Sequence, residues 1–221
     1  MTVAIAVVVP GGVLTIADGR TSMVFSNEVK SDTTQKIKTA LLGMTTVVTG
    51  VESVTDNTLI LIRSADPPQS AQGAVDLSRG ALLTAWNHFS QNLDSSVDRS
   101  TSALKTALIV TGIDQGRPYY SASLIGFDVA LDTVGPNFDV YDHVVIGGEQ
   151  QGAQEGFRKK LEAIASLVNP GDNVIAITER IVRAAAETIL EVAAVDAAVG
   201  GEIVYRLQPV VGDIIDAPVL S

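Results

Sequence analysis

Thr2 is the residue of this chain whose position carries the most chemistry. Cells commonly trim an initiating methionine when a small residue follows it, and here Met1 precedes Thr2. A trimmed chain would begin at Thr2, with a free α-amine beside the hydroxyl. That puts a nucleophile and a base on one residue, the N-terminal threonine variant of nucleophilic catalysis. Competing chemistry is sparse. There are no cysteines, so thiol nucleophiles, disulfides and Cys–zinc sites are excluded. His88 falls in an amphipathic helical pattern and His143 in an extended one, far apart, and both are read as structural. Asp114, Asp128, Asp132 and Asp139 have no calcium-loop spacing and read as turn residues.

The elements that must hold Thr2 begin immediately after it. Val3 to Val9, the turn Pro10-Gly11-Gly12, and Val13 to Ala17 predict a β-hairpin that starts with the chain and has no leader before it. Met23 to Thr34 reads as a polar connection, Lys36-Ile37-Lys38 as a short extended piece, and Met44 to Thr49 as a β-branched strand closed by Gly50. The period then changes. Val51 to Arg63 predicts a helix stopped by Pro67-Pro68. Ala74 to Leu93 predicts another, with Leu82, Trp86, Phe89 and Leu93 as its buried stripe. Asp94 to Ser102 reads as loop, Ala107 to Gly112 as strand, Gly116-Arg117-Pro118 as turn, Tyr119 to Phe127 as strand, and Asp139 to Ile146 as a further extended piece. Two helices follow, with Phe157, Leu161, Ile164 and Val168 in register, then Ile177, Ile181, Ala185, Ile189 and Val192. Ile203 to Leu207 is the last strand read from the pattern.

Strands and helices are grouped rather than alternating. This predicts an α+β fold with antiparallel sheets and segregated helices, a four-layer αββα sandwich spanning residues 1–221 as one domain. The chain has 221 residues, 46% of them hydrophobic, enough for a large core. A net charge of −10 opposes binding to a phosphate backbone, so no nucleic-acid partner is expected. No apolar run approaches a membrane span, and Val3 to Val9 is too short for a secretory core, so the expectation is no membrane and a cytoplasmic location.

Several pieces in this order resemble the proteasome β-subunit family, with its bacterial relatives HslV and Anbu, among the N-terminal nucleophile hydrolases. They are Thr2 opening a strand, Gly11 through Asp18-Gly19-Arg20-Thr21-Ser22, Lys36-Ile37 and Gly50 after a β-run. Later come Arg117-Pro118-Tyr119 ahead of Gly126-Phe127-Asp128, Gly135-Pro136 through Tyr141-Asp142, Gly147-Gly148 opening a helix, and Asp196 through Gly200-Gly201. The resemblance covers nearly the whole chain.

It implies roles. Thr2 Oγ would attack a scissile carbonyl with its own α-amine as base. Lys36 would stand near Thr2 and lower the effective pKa of the nucleophile, and Asp18 would pair with Lys36 and orient it. Gly50 would offer an oxyanion-hole N–H, and Asp196 would belong to the catalytic surround. Ser22 would bind an extended peptide through its backbone, and Val48 would stand at the base of the pocket for the adjoining side chain. Two positions depart from the family, which has serines where this chain has Gly148 and Val199. The implied function is a threonine-type endopeptidase within a homo-oligomeric ring or double ring. It would act on unfolded protein or peptide, need no cofactor, and work with an ATPase unfoldase in HslV-like members. The alternative is a ring-forming relative that is proteolytically inactive or hydrolyses one special amide, or an assembly protein.

Overall fold

The computed structural model describes residues 2–22, 28–99, 104–147, 151–169 and 171–219, with the backbone alone for Ser22 and Gln151. The strands are β1 (Ala4–Val9), β2 (Gly12–Asp18), β3 (Thr21–Ser22), β4 (Val29–Ser31), β5 (Ile37–Leu41), β6 (Met44–Thr49), β7 (Thr106–Asp114), β8 (Arg117–Ile125), β9 (Asp132–Asn137), β10 (His143–Ile146), β11 (Ile203–Pro209) and β12 (Ile215–Pro218). The helices are α1 (Glu52–Arg63), α2 (Ala71–Asn92), α3 (Gln151–Ala165) and α4 (Val174–Ala193). The chain is α+β, with two antiparallel five-stranded sheets in the orders β10-β1-β2-β11-β12 and β5-β6-β7-β8-β9.

The apolar run of β1 does not alternate with polar residues because both its faces are buried. Val3, Ile5, Val7 and Val9 pack with Phe157 and Leu161 of α3 and Ile181 and Ile189 of α4. Ala4, Ala6 and Val8 pack the other way, against Ile37, Val47 and Ile109 of the second sheet. The outer face of that sheet, with Met44, Val48 and Leu108, is covered by Leu59 and Ile62 of α1 and Leu82 and Trp86 of α2. The three clusters are compatible with a helix–sheet–sheet–helix sandwich. Polar groups also tie the sheets together. Arg206 on β11 donates to Asp216 at 2.6 and 2.7 Å and to Thr39 Oγ1 on β5 at 2.7 Å.

The hairpin, the four helices and most strands form where their periods place them, with boundaries that shift for local reasons. α2 starts at Ala71, earlier than its apolar stripe, because Ser70 Oγ accepts from Gly73 N–H and caps it. Arg117-Pro118 is strand rather than turn, since Gln115 and Gly116 take the positive φ that a tight hairpin needs. Of the stretch Asp139 to Ile146 only the second half is strand. Tyr141 has φ +70° and Asp142 N–H donates to Asp139 O, so residues 139–142 turn instead. β3, β4, β9 and β12 went unread. They are short or exposed, and none carries an apolar pattern: β3 is two hydroxyl residues, and the others hold Gly, Pro or charge. Among the described residues no helix is long and apolar enough to cross a membrane.

Candidate active site

One end of the first sheet gathers the site. The β1–β2 register runs Ala4↔Ala17 and the β11–β2 register Ile203↔Asp18, so the start of β1, the end of β2 and the start of β11 lie together. Asp18 is fully buried there. Its Oδ1 accepts from Val3 N–H at 2.9 Å, and its Oδ2 accepts from Gly200 N–H at 3.0 Å and Arg20 N–H at 3.3 Å. Three N–H donors on one carboxylate fix its orientation and offset part of the cost of burying it.

Lys36 approaches from the second sheet. Continuing the register Ile37↔Val47, it stands opposite Val48, just ahead of the start of β5. Its side chain is 8% exposed. The ammonium donates to Thr2 Oγ1, to the carbonyl of Arg20, and to Asp18 Oδ1 at 3.4 Å. All three of its protons are thereby used, and no water is needed to hold it. Burial pushes the Lys36 pKa below that of an ordinary lysine, against the pull of Asp18. Burial likewise raises the Asp18 carboxyl, with Lys36 and the N–H donors pulling the other way. Desolvation is the larger effect on both partners, as expected of an ion pair closed off from water.

The other expected residues fall around this cluster in different ways. Gly50 ends β6 with φ +114° at the same end of the second sheet as Lys36. A Cβ there would stand 2.1 Å from Lys105 O, so close backbone packing alone demands glycine. Ser22 lies in β3, which pairs among the described residues with β4. Val48 is 5% exposed and packs in the cluster under α1 and α2. Asp196 closes its own turn. Its Oδ1 accepts from Ala198 N–H at 2.9 Å, and among the described residues it bonds to none of Thr2, Asp18 and Lys36. Val199 is fully buried in the cluster beneath α3 and α4, so position 199 turns its side chain to that core. Gly148 and Met1 lie outside the described residues.

Gly147, part of a motif but given no role by the sequence, proves tightly placed. It follows Ile146, the β10 partner of Ala4, with φ +90°, and a Cβ on it would stand 1.5 Å from Thr2 O. No rearrangement short of moving β1 accommodates that atom. Gly147→Ala is expected to displace Thr2 and destabilise the chain by about 2 kcal/mol or more, from strain and overpacking together. Urea unfolding checks it, and wild-type stability in the variant would contradict the packing.

Comparison with protein-family models finds no match, and comparison with curated proteins finds no similar sequence. The site therefore stands on its own geometry. Among the described residues no group of three or more His, Cys, Asp and Glu is placed to hold a metal ion. What the residues present can do together is present a hydroxyl to an electrophile with a cation on its oxygen and a fixed carboxylate behind the cation.

Proposed function

We propose that this chain is a threonine-type peptidase with the N-terminal nucleophile hydrolase fold, a single proteasome-like domain that acts within a homo-oligomeric ring. The observation that carries the reading is the Lys36 ammonium donating at once to Thr2 Oγ1 and to Asp18 Oδ1. Three residues separated in sequence converge on one ammonium nitrogen, on the rim where two sheets meet.

In this reading Met1 is removed and the Thr2 α-amine is free. Thr2 Oγ attacks the scissile carbonyl while its proton passes to that amine, directly or through a water. Lys36, as a cation, stabilises the oxygen as it loses the proton and keeps the neighbouring amine neutral. The oxyanion of the tetrahedral intermediate lies against a backbone N–H, for which Gly50 is the candidate. Collapse expels the substrate amine with the proton taken from Thr2, leaving an ester on Thr2 Oγ. Water then attacks that ester, again with the α-amine as base, and releases the acid. The backbone of β3 is the candidate edge for an extended peptide.

Casein and short fluorogenic peptides test the activity, and native particle size tests the ring. Cleavage by a particle several times the mass of one chain is expected, and a monomer without cleavage would sink the reading. Because Lys36 must stay charged and burial lowers its pKa, kcat/KM is expected to fall on the alkaline side earlier than an ordinary lysine titrates. A pH profile that stays flat through the ordinary lysine range would contradict this. One observation favours a second reading, a relative that forms the particle without general proteolysis. Val199 stands fully buried where the family resemblance leads one to expect a serine. Adduct formation at Thr2 without peptide cleavage would support that reading.

A further inference from the structure

Two loops meet beside Asp18 that the sheets alone do not hold, residues 19–20 beyond β2 and residues 196–202 ahead of β11. Arg20 joins them. Its main chain serves the site directly, since its N–H donates to Asp18 Oδ2 and to Gly200 O at 2.9 Å and its carbonyl accepts from Lys36. Its side chain runs the other way. Nε donates to Asp32 Oδ1 at 2.6 Å, and Nη1 donates to Ala197 O at 3.1 Å and Val199 O at 3.3 Å. Asp32 is itself tied in, its carbonyl accepting from Glu202 N–H at 2.8 Å. The packing leaves no slack. A Cβ on Gly201 would stand 2.4 Å from Asp32 O, and one on Gly200 would stand 3.2 Å from Arg20 Cζ.

We propose that Arg20 is a positioning residue of this site. Its guanidinium clamps the turn that carries Gly200 onto the strand end that carries Asp18, and so sets where the Lys36 ammonium stands against Thr2 Oγ1. The proposal rests on the reading of Lys36 as the group that assists Thr2. At Val199 the clamp takes the main-chain carbonyl while the side chain serves the helix core, so the turn is fastened without a hydroxyl there. A planar fork reaching a carboxylate and two carbonyls is a task for arginine that a lysine ammonium does not reproduce.

The test compares Arg20→Met, Arg20→Lys and Asp32→Asn with the wild-type chain. The first readout is the titration of Lys36, followed by NMR on protein carrying isotopically labelled lysine, which needs no activity. Among the described residues the charged group paired with the ammonium is Asp18, while the Arg20 guanidinium is turned to Asp32. The second readout is the rate at which a peptidyl epoxyketone adds to Thr2. In Arg20→Met and Arg20→Lys, Lys36 is expected to titrate closer to an ordinary lysine as water enters. Adduct formation is expected to slow roughly a hundredfold, the usual effect of a small misplacement. Arg20→Lys keeps the charge, so the same shift there separates position from simple loss of a cation. Asp32→Asn removes one partner of an exposed pair and is expected to give a smaller shift in the same direction. Wild-type Lys36 titration in Arg20→Met, or wild-type behaviour throughout in Arg20→Lys, would overturn the proposal. Should Arg20→Met fail to fold, an unmoved Lys36 in Asp32→Asn would do the same. A moved Lys36 titration in a protein whose wild type forms no adduct would support the clamp and sink the peptidase reading alone.

Discussion

Lys36→Met is expected to lose peptide hydrolysis by about 10²–10⁴-fold, the range for removing a group that assists proton transfer, and to lose stability as well. Asp18 is fully buried, and its cationic partner is the 8%-exposed side chain of Lys36. Removing one member of a buried pair leaves the other charge uncompensated, at a cost of roughly 3 kcal/mol. The N–H donors from Val3, Gly200 and Arg20 remain, which keeps the figure at the low end of that range. The double variant Asp18→Asn with Lys36→Met then separates the two effects. It is expected to recover part of the stability, since no unpaired charge remains, and none of the activity. Urea unfolding and peptide turnover on the same samples check both. A single variant as stable as wild type would mean that the pair is not closed off from water. Recovery of turnover in the double variant would mean that Lys36 only balances Asp18.

Thr2→Ala is expected to behave differently. Hydrolysis falls by at least ~10⁴-fold because the reacting oxygen itself is gone. Stability changes by about 1 kcal/mol, the usual net worth of one hydrogen bond. Lys36 keeps two of its three acceptors, Asp18 and the Arg20 carbonyl. Thr2→Ser retains the oxygen and is expected to retain measurable turnover. Activity in Thr2→Ala within tenfold of wild type would place the nucleophile elsewhere. The opposition between the two variants is informative, for the lysine is expected to move both stability and activity strongly and the threonine chiefly activity.

The hairpin and the long helices were legible because their patterns are strong. β1 is apolar throughout, and Phe157, Leu161 and Ile164 or Ile181, Ala185 and Ile189 repeat at helical spacing. β9 and β12 were not, because an edge strand with one exposed face and a Pro or Gly within it has no period to read. At the site, Thr2, Asp18 and Lys36 were named from sequence, and the three meet. Asp196 was named with them and instead caps its own turn. Arg20 and Gly147 stood inside quoted motifs without a role, since their importance is in what they touch. Arg20 reaches carbonyls far along the chain, and the missing side chain of Gly147 makes room for the carbonyl of Thr2. Contacts of that kind depend on backbone atoms, whose positions the residue types alone do not announce.

The most direct measurement is the intact mass of the chain expressed from its own start codon, before and after incubation with a peptidyl epoxyketone. That reagent needs a hydroxyl and a free amine on the same residue. The expected result is a mass lacking Met1, a single added inhibitor mapped to Thr2, and no addition in Thr2→Ala. A chain that retains Met1, or one that loses it and still takes up no inhibitor, would contradict a catalytic amine at Thr2.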